Sequence, residues 1–369
     1  MSVKRYVLVV LILIVCFNQF SYAQSKKIET LKLELKHAKD DVVRADINCQ
    51  LAEQLYLYDF EQGYSYAETS LKISEKIKYL KGSVQALTSI GTYYYYKGEI
   101  AESYRFYWQA LNKMSGSSLN DYPFKTYIRL SILFRTQASF DSAEYYLNKA
   151  SFLLPKNDQS SFHASYYASL GILANNKSQN KEAIALLNKS LRIRMILKDT
   201  NRMADTWRNM GVAYTDLSKY DSAEYCYQRA ELFLNKLDNP EIRMTLNINK
   251  GETYFARGEI GSAIEHYNLA LDMLKVNTYR KYYSHLLYKI GELYSNQNDY
   301  ESGYDYLFKA VREFELINSR QDLAKTYSQI GWNYNFQKNY FKALDNGRKS
   351  LRLAHQLGDS AGVAQNQNL

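Results

Sequence analysis

Trp207–Ala230 reads WRNMGVAYTDLSKYDSAEYCYQRA, and the spacing of its small and large residues decides the fold. The stretch divides into a helix, a tight turn and a second helix. Stepping by 40 from Gly211 meets Gly171, Ser131 and Gly91 backwards, and Gly251, Gly291 and Gly331 forwards. Six of these seven marks are glycine and the seventh is serine. A fixed period of this length is the signature of a stacked repeat, whose units bury their apolar faces only against each other. Binding is therefore the expected business of the chain, ahead of catalysis.

The regularity extends beyond the marks. Three residues past them stand Tyr94, Phe134, Ala174, Tyr214, Tyr254, Tyr294 and Tyr334. Twelve past them are Ser103, Ala143, Ala183, Ala223, Ala263, Gly303 and Ala343. Seven further on come Ala110, Ala150, Ser190, Ala230, Ala270, Ala310 and Ser350. Antiparallel helices approach closely only where side chains are small. Gly91, Gly171, Gly211, Gly251, Gly291 and Gly331 are thus expected to be packing residues, touching the small residues of a second helix. The aromatic three residues past each mark is expected to plug the gap beside it. Gly98 and Gly258 fall where first helices end, and Asp141-Ser142 and Asp221-Ser222 where second helices begin.

These residues resemble the tetratricopeptide repeat family, whose pattern is W-x2-L-G-x2-Y followed by A, F and A. Trp207, Met210, Gly211, Tyr214, Ala223, Tyr227 and Ala230 carry it, with Met for Leu and Tyr for Phe. The resemblance runs from about residue 40 to 358. It implies an all-α, helix-turn-helix solenoid (a superhelix) of about eight 40-residue repeats. The first repeat is degenerate, with the glycine slot on Leu51 beside Ala52. Ser131 for glycine, Lys250 for leucine, Ala174 for tyrosine and Gly347 for the aromatic are local departures. The period exceeds the family's usual value of about 34, which points to longer second helices.

The ends read differently. Lys4 and Arg5, the apolar run Val7 to Phe17 and Ser21-Tyr22-Ala23 form a secretory signal peptide over 1–23. That run falls short of the roughly 20 residues needed to span a bilayer, which disfavours an uncleaved anchor. No other stretch reads as a membrane span, so none is expected after cleavage. Residues 24–39, with Ile28, Leu31, Leu35 and Ala38 at helical spacing, read as a capping helix. Residues 359–369 resemble the opening of a further first helix. Fraying there and an N-terminal fragment of a longer product both remain open.

Chemistry is sparse. The five histidines are dispersed, without metal-ligand spacing, and no nucleophile or phosphate-loop motif occurs. No enzyme activity, cofactor or metal is expected. The net charge of +9 is spread among interleaved acids and forms no basic run, so nucleic acid is not an expected partner. Cys49 and Cys226 stand four repeats apart, too far to pair within a solenoid.

The resemblance implies a protein or peptide ligand, held in a concave groove lined by the first helices. Counting each mark as 8, the groove slots are near 2, 5, 6, 9, 12 and 13. The candidates there are Tyr95, Arg129, Arg135, Arg208, Asn209 and Asn249, then Phe255, His285, Tyr288, Lys289 and Trp332. Tyr96, Asn175, Asn176 and Phe336 occupy further slots. Aromatics with Arg and Asn suit peptide capture, since Asn can bond a backbone and Arg a carboxylate. Some family members clamp a C-terminal carboxylate with five Lys, Asn and Arg residues. Arg208, Asn209 and Asn249 are only a fragment of that set, with Val212 at slot 9. The export signal and long repeats also resemble the extracytoplasmic region of bacterial membrane-bound sensor kinases and regulators. The alternative is a complete periplasmic scaffold or adaptor for envelope protein assembly.

Overall fold

The computed structural model describes residues 27–56, 59–114, 121–234, 240–274 and 280–357. The signal-peptide segment 1–23 and the closing segment 359–369 lie outside the described residues. Within them the chain is all helix and turn, with no strand. A helix α1 covers 27–37. Eight first helices follow: α2 (Asp41–Leu55), α4 (Leu80–Lys97), α6 (Asp121–Thr136), α8 (Ser161–Asn176), α10 (Thr200–Asp216), α12 (Pro240–Ala256), α14 (Arg280–Asn296) and α16 (Arg320–Phe336). Their partners are α3 (Phe60–Lys76), α5 (Ile100–Met114), α7 (Phe140–Ser151), α9 (Asn180–Ile196), α11 (Tyr220–Leu234), α13 (Ile260–Met273), α15 (Tyr300–Leu316) and α17 (Tyr340–Leu357). The helices fall into two compact units that divide between Asn249 and Lys250, inside α12.

Five of the glycine marks, Gly91, Gly171, Gly211, Gly251 and Gly291, pack against a second helix, but the side chain that fills each gap comes from a different place than expected. A Cβ built on Gly91 would lie 2.7 Å from the Tyr107 ring. On Gly171 it would lie 2.8 Å from Leu187 Cγ, on Gly251 2.5 Å from Tyr267, and on Gly291 2.8 Å from Leu307 Cγ. On Gly211 it would run into the Tyr227 ring. All five intruders sit sixteen residues past their mark, on the second helix, and are at most 1% exposed, with Leu187, Tyr227 and Leu307 fully buried. Burying a side chain of that size contributes about 1.5–3 kcal/mol, so the missing Cβ creates the space for a core anchor. The small residue twelve past the mark meets the same glycine through its backbone. The Ala183 carbonyl is 3.1 Å from the built Gly171 Cβ, and the Gly303 carbonyl 3.0 Å from that of Gly291.

The aromatic three past the mark does something else. In four repeats it stacks on the ring fifteen past the mark within its own repeat. Tyr94 lies on Phe106 at 5.2 Å, Phe134 on Tyr146 at 5.4 Å, Tyr254 on His266 at 5.2 Å and Tyr294 on Tyr306 at 5.7 Å, all nearly parallel. Helix length also departs from expectation. First helices run 15–18 residues and second helices 12–18, so the long period is shared between both.

The turns repeat as strictly as the helices. Seven residues past the mark the backbone is left-handed, with φ of 84° at Gly98 and 82° at Gly258. Ala138, Ser178, Ser218, Asn298 and Lys338 hold that conformation without glycine. The next amide then closes on the carbonyl three past the mark, as in Glu99 N to Tyr94 O at 2.9 Å and Lys219 N to Tyr214 O at 2.9 Å. These bonds satisfy carbonyls that a helix end leaves open. The caps at second-helix starts differ from the sequence reading. Asp141 lies inside the first turn of α7, and Ser139 takes the cap position without a side-chain bond. Among the second helices, side-chain caps occur at Asp59, Asp299 and Asn339, while Asp40, Ser160 and Asp199 cap first helices.

The first repeat is shifted by one residue. Ser70 Oγ donates to the Ala45 carbonyl at 2.8 Å, a separation of 25, whereas Ser190 to Ala164 and Ser350 to Ala324 span 26. Ala52, and not Leu51, thereby takes the glycine slot, and its carbonyl lies 3.3 Å from a Cβ built on Gly63. Helix α1 lays Ile28 and Leu31 against Ile47, Leu51 and Leu55, flanked by Leu35 and Ala38. Cys49 and Cys226 are free and buried, and burial pushes both thiols up to about 12.

Candidate functional site

In the first unit, α4, α6, α8 and α10 are successive first helices, each touching the next. Slots 2, 5, 6, 9, 12 and 13 cover about 120° of each helix, given roughly 100° per residue. The slots of neighbouring repeats meet. Arg135 Nη1 donates to Asn176 Oδ1 at 3.1 Å, and Asn175 Nδ2 donates to Asp216 Oδ2 at 2.8 Å. Each bond links slot 12 of one repeat to slot 13 of the next, so these residues form one continuous face.

The candidates on that face have different surroundings. Tyr95 is half-buried, packs against Tyr107, Leu130 and Leu133, and supports the joint between repeats. Arg129 is exposed. Arg208 is held by Asp205 through Nη2 at 2.6 Å and Nε at 3.2 Å. Burial pushes the Asp205 carboxyl up, but Arg208, with help from Arg194 and Arg202, outweighs that and holds it below its usual range. Asn209 and Asn249 are half-buried at slot 6 of adjacent repeats.

Three amides on this face are incomplete. Gln85 Oε1 on α4, Asn175 Oδ1 on α8 and Asn209 Nδ2 on α10 are buried atoms without a hydrogen-bond partner. Leaving such an atom unsatisfied costs about 1–3 kcal/mol, so sites that retain it are candidates for a ligand's polar groups. All three side chains are partly exposed.

Arg194 was absent from the sequence-derived site. It lies on α9, twenty-three past the mark, where other repeats place Met114, Leu234, Leu274 and Phe314. Only 4% exposed, it donates through Nη1 to the Arg202 carbonyl at 2.5 Å and to Thr206 Oγ1. Burial lowers its guanidinium to about 10, partly offset by Asp205. An arginine in an otherwise apolar periodic slot was the signal that could have exposed it.

In the second unit, α14 gathers three candidates. His285 Nε2 lies 3.6 Å from Asp322 Oδ2 on α16 and edge-on to Phe314. Lys289 Nζ lies 3.7 Å from Glu252 and 3.9 Å from Glu292. Tyr288 donates to Glu292 Oε1 at 3.4 Å, and burial, then Glu292, pushes its phenol above the usual range. Phe255 on α12 is half-buried, as is Trp332 on α16, whose ring is 6.1 Å from the largely exposed Phe336. Gly331 is buried in α16.

Two recesses lie elsewhere. One of about 380 Å³ is lined by Ile100, Tyr104, Phe134 and neighbours, and one of about 400 Å³ by Trp108, Tyr127, Tyr145, Lys149 and neighbours. Neither is lined by a predicted groove residue. Among the described residues no group of His, Cys, Asp and Glu is placed to hold a metal ion. No described helix is long and apolar enough to cross a membrane.

Residues 202–275 match the tetratricopeptide repeat family. No curated protein matches the chain in sequence. Among solved structures, a Rap protein complexed with competence and sporulation factor is similar at a TM-score of 0.60 and 10% identity, covering 88% of this chain and 95% of that one. The Rap conjugation gene regulator of plasmid pLS20, in complex with the Phr* peptide, gives a TM-score of 0.59 at 16% identity, covering 75% and 76%. A signal-transduction ATPase with a tetratricopeptide repeat sensor, from Pyrococcus horikoshii, gives 0.57 at 18% identity, covering 84% of this chain and 48% of that one. At these identities the likeness is one of fold. The paired helices, the 40-residue spacing and the matched segment together make this an all-α helical-repeat solenoid of the tetratricopeptide type.

Proposed function

We propose that this chain is a non-enzymatic module that binds an extended peptide or protein segment on its first-helix face. The observation that carries the reading is the set of open amide atoms at Gln85, Asn175 and Asn209. An extended backbone offers both N–H and C=O groups, which match two open acceptors and one open donor. The similar Rap regulator bound to the Phr* peptide supports the reading by analogy of fold. The sequence of residues 1–23 supports a location outside the cytoplasm. With the repeat sensor of the Pyrococcus horikoshii protein as a second analogy, the function becomes that of a sensory or interaction region in bacterial signalling.

The test is selection of a displayed library of random dodecapeptides on the wild-type chain and on Gln85→Ala/Asn175→Ala/Asn209→Ala, with folding checked by helical circular dichroism. Peptides should enrich on the wild type and fail to enrich on the folded variant. Equal enrichment on both would remove the first-helix face from the account. Export is tested by fusing residues 1–23 to an alkaline phosphatase reporter, which should become active outside the cytoplasm. Activity confined to lysed cells would overturn the location.

A further inference from the structure

The slot eighteen past the mark uses its cation in two ways. In α15 and α17 it holds Lys309 and Lys349, each paired with an aspartate one turn earlier, Asp305 at 2.6 Å and Asp345 at 2.8 Å. In α7, α9 and α11 it holds Lys149, Lys189 and Arg229, but one turn earlier stand Tyr145, Ala185 and Tyr225. These three cations rest on rings. Lys149 Nζ lies 5.4 Å from the centre of Tyr145, Lys189 Nζ 5.6 Å from Tyr167, and the Arg229 guanidinium 5.7 Å from Trp207. A ring attracts the charge without cancelling it. Arg192 adds an exposed cation on α9, and Arg229 Nε has no hydrogen-bond partner. All three helices belong to the first unit.

Apolar side chains complete the same stripe. Tyr145, Lys149 and Phe152 follow helical spacing on α7, as do Lys189, Arg192 and Ile196 on α9, and Tyr225, Arg229 and Leu232 on α11. Phe152, Met195, Ile196 and Leu232 are each more than half exposed. The acids of these helices are Asp141, Glu144, Glu182, Asp221 and Glu224, all within the first five residues, and Glu231. Glu144 pairs with Lys177, and Glu231 is half-buried and engaged elsewhere. Beyond the helix ends, Asp199 caps α10 and pairs with Arg202, and Asp158 follows Lys156 in the loop after α7.

We propose that this stripe of α7, α9 and α11 is a docking surface for an anionic lipid bilayer, on which the chain lies without crossing it. A bilayer offers negative headgroups to Lys149, Lys189, Arg192 and Arg229, and an apolar layer beneath them to Phe152, Ile196 and Leu232. Rings such as Tyr145 and Tyr225 suit the boundary between the two layers. The helix dipole also favours cations toward each C-terminus, but it does not account for apolar side chains left in water beside them. A nucleic acid would meet the charges and gain nothing from those side chains. The surface belongs to the second helices and leaves the first-helix face open, so the proposal is independent of the peptide-binding reading.

The test is co-sedimentation with vesicles of the chain from residue 24 onward, which keeps every described residue and omits the apolar run of 1–23. Vesicles of phosphatidylcholine alone are compared with vesicles of phosphatidylcholine and phosphatidylglycerol in equal parts. The wild type should sediment with the mixed vesicles and stay in solution with phosphatidylcholine, and raised salt should weaken the binding. Lys149→Glu/Lys189→Glu/Arg192→Glu should lower it at least about tenfold. Phe152→Ser/Ile196→Ser should lower it several-fold with every charge intact. All five substituted side chains are exposed, so both variants should fold, which helical circular dichroism checks. Failure of the folded wild type to sediment with the mixed vesicles would overturn the proposal, as would equal binding by the wild type and the charge variant. Undiminished binding of Phe152→Ser/Ile196→Ser would show charge acting alone and overturn the bilayer in favour of a soluble polyanion.

Discussion

Gly211 and Gly261 separate two uses of glycine in this chain. In an exposed helix, replacing glycine by alanine gains up to about 1 kcal/mol from backbone propensity. Gly261 lies near the start of α13 with open space around its missing side chain, so Gly261→Ala should be neutral or stabilising by up to about that amount. At Gly211 the fully buried Tyr227 ring occupies the space, and there overpacking wins. Gly211→Ala should destabilise by about 1–3 kcal/mol, read as a lower melting temperature. Equal melting temperatures for the two variants would contradict the assignment of Tyr227 as the occupant. The cysteines give a second test at this scale. The folded thiols keep their protons up to about 12, whereas an unfolded thiol loses its proton near about 8.5. Between those values the unfolded state binds fewer protons, so this contribution to stability falls as pH rises through the window. At pH 8 both thiols should resist a disulfide reagent in the native protein and react on denaturation; rapid native labelling would contradict their burial.

At the scale of the element, the turns and the second helices carry the strongest expectations. Ala138 and Ser218 adopt the left-handed backbone that Gly98 and Gly258 adopt at equivalent places. A side chain there costs about 1–2 kcal/mol, reduced by glycine's larger unfolded entropy. Ala138→Gly should therefore stabilise the protein by of order 1 kcal/mol, measured by urea denaturation; a loss of stability would mean that the strain is absent. Arg194 interrupts the apolar row of Met114, Leu234 and Phe314. Arg194→Ala leaves a cavity and strips a donor from Thr206 and the Arg202 carbonyl, and should cost about 3 kcal/mol. Arg194→Met restores the row's own side chain and should recover most of that loss. Equal destabilisation by both would show that the arginine's charge, and not its volume, holds α9 against α10.

Across the whole molecule, the period was legible because close helix contacts demand small residues at fixed intervals, and Gly, Ala and Ser are read easily. Helix starts 40 residues apart follow directly from that. What the spacing did not reveal depends on which side chain reaches across. The sequence places Tyr214 and Tyr227 equally well beside Gly211, and only the packed helices show that Tyr227 fills the space. The one-residue shift at Ala52 was hidden because leucine and alanine both fit a buried slot. The groove residues were placed on the expected helices by periodicity, yet their partners were not, since Arg208–Asp205 and Lys289–Glu252 depend on side-chain reach. Gln85 and Asn175 became prominent only through the hydrogen bonds they lack. The direct measurement of the central claim is hydrogen–deuterium exchange of the wild-type chain with and without its selected dodecapeptide. Slowed exchange should concentrate in α4, α6, α8 and α10, with α5, α7 and α9 unchanged. Protection confined to α5 and α7, around the Trp108 and Tyr145 recess, would contradict a first-helix binding face.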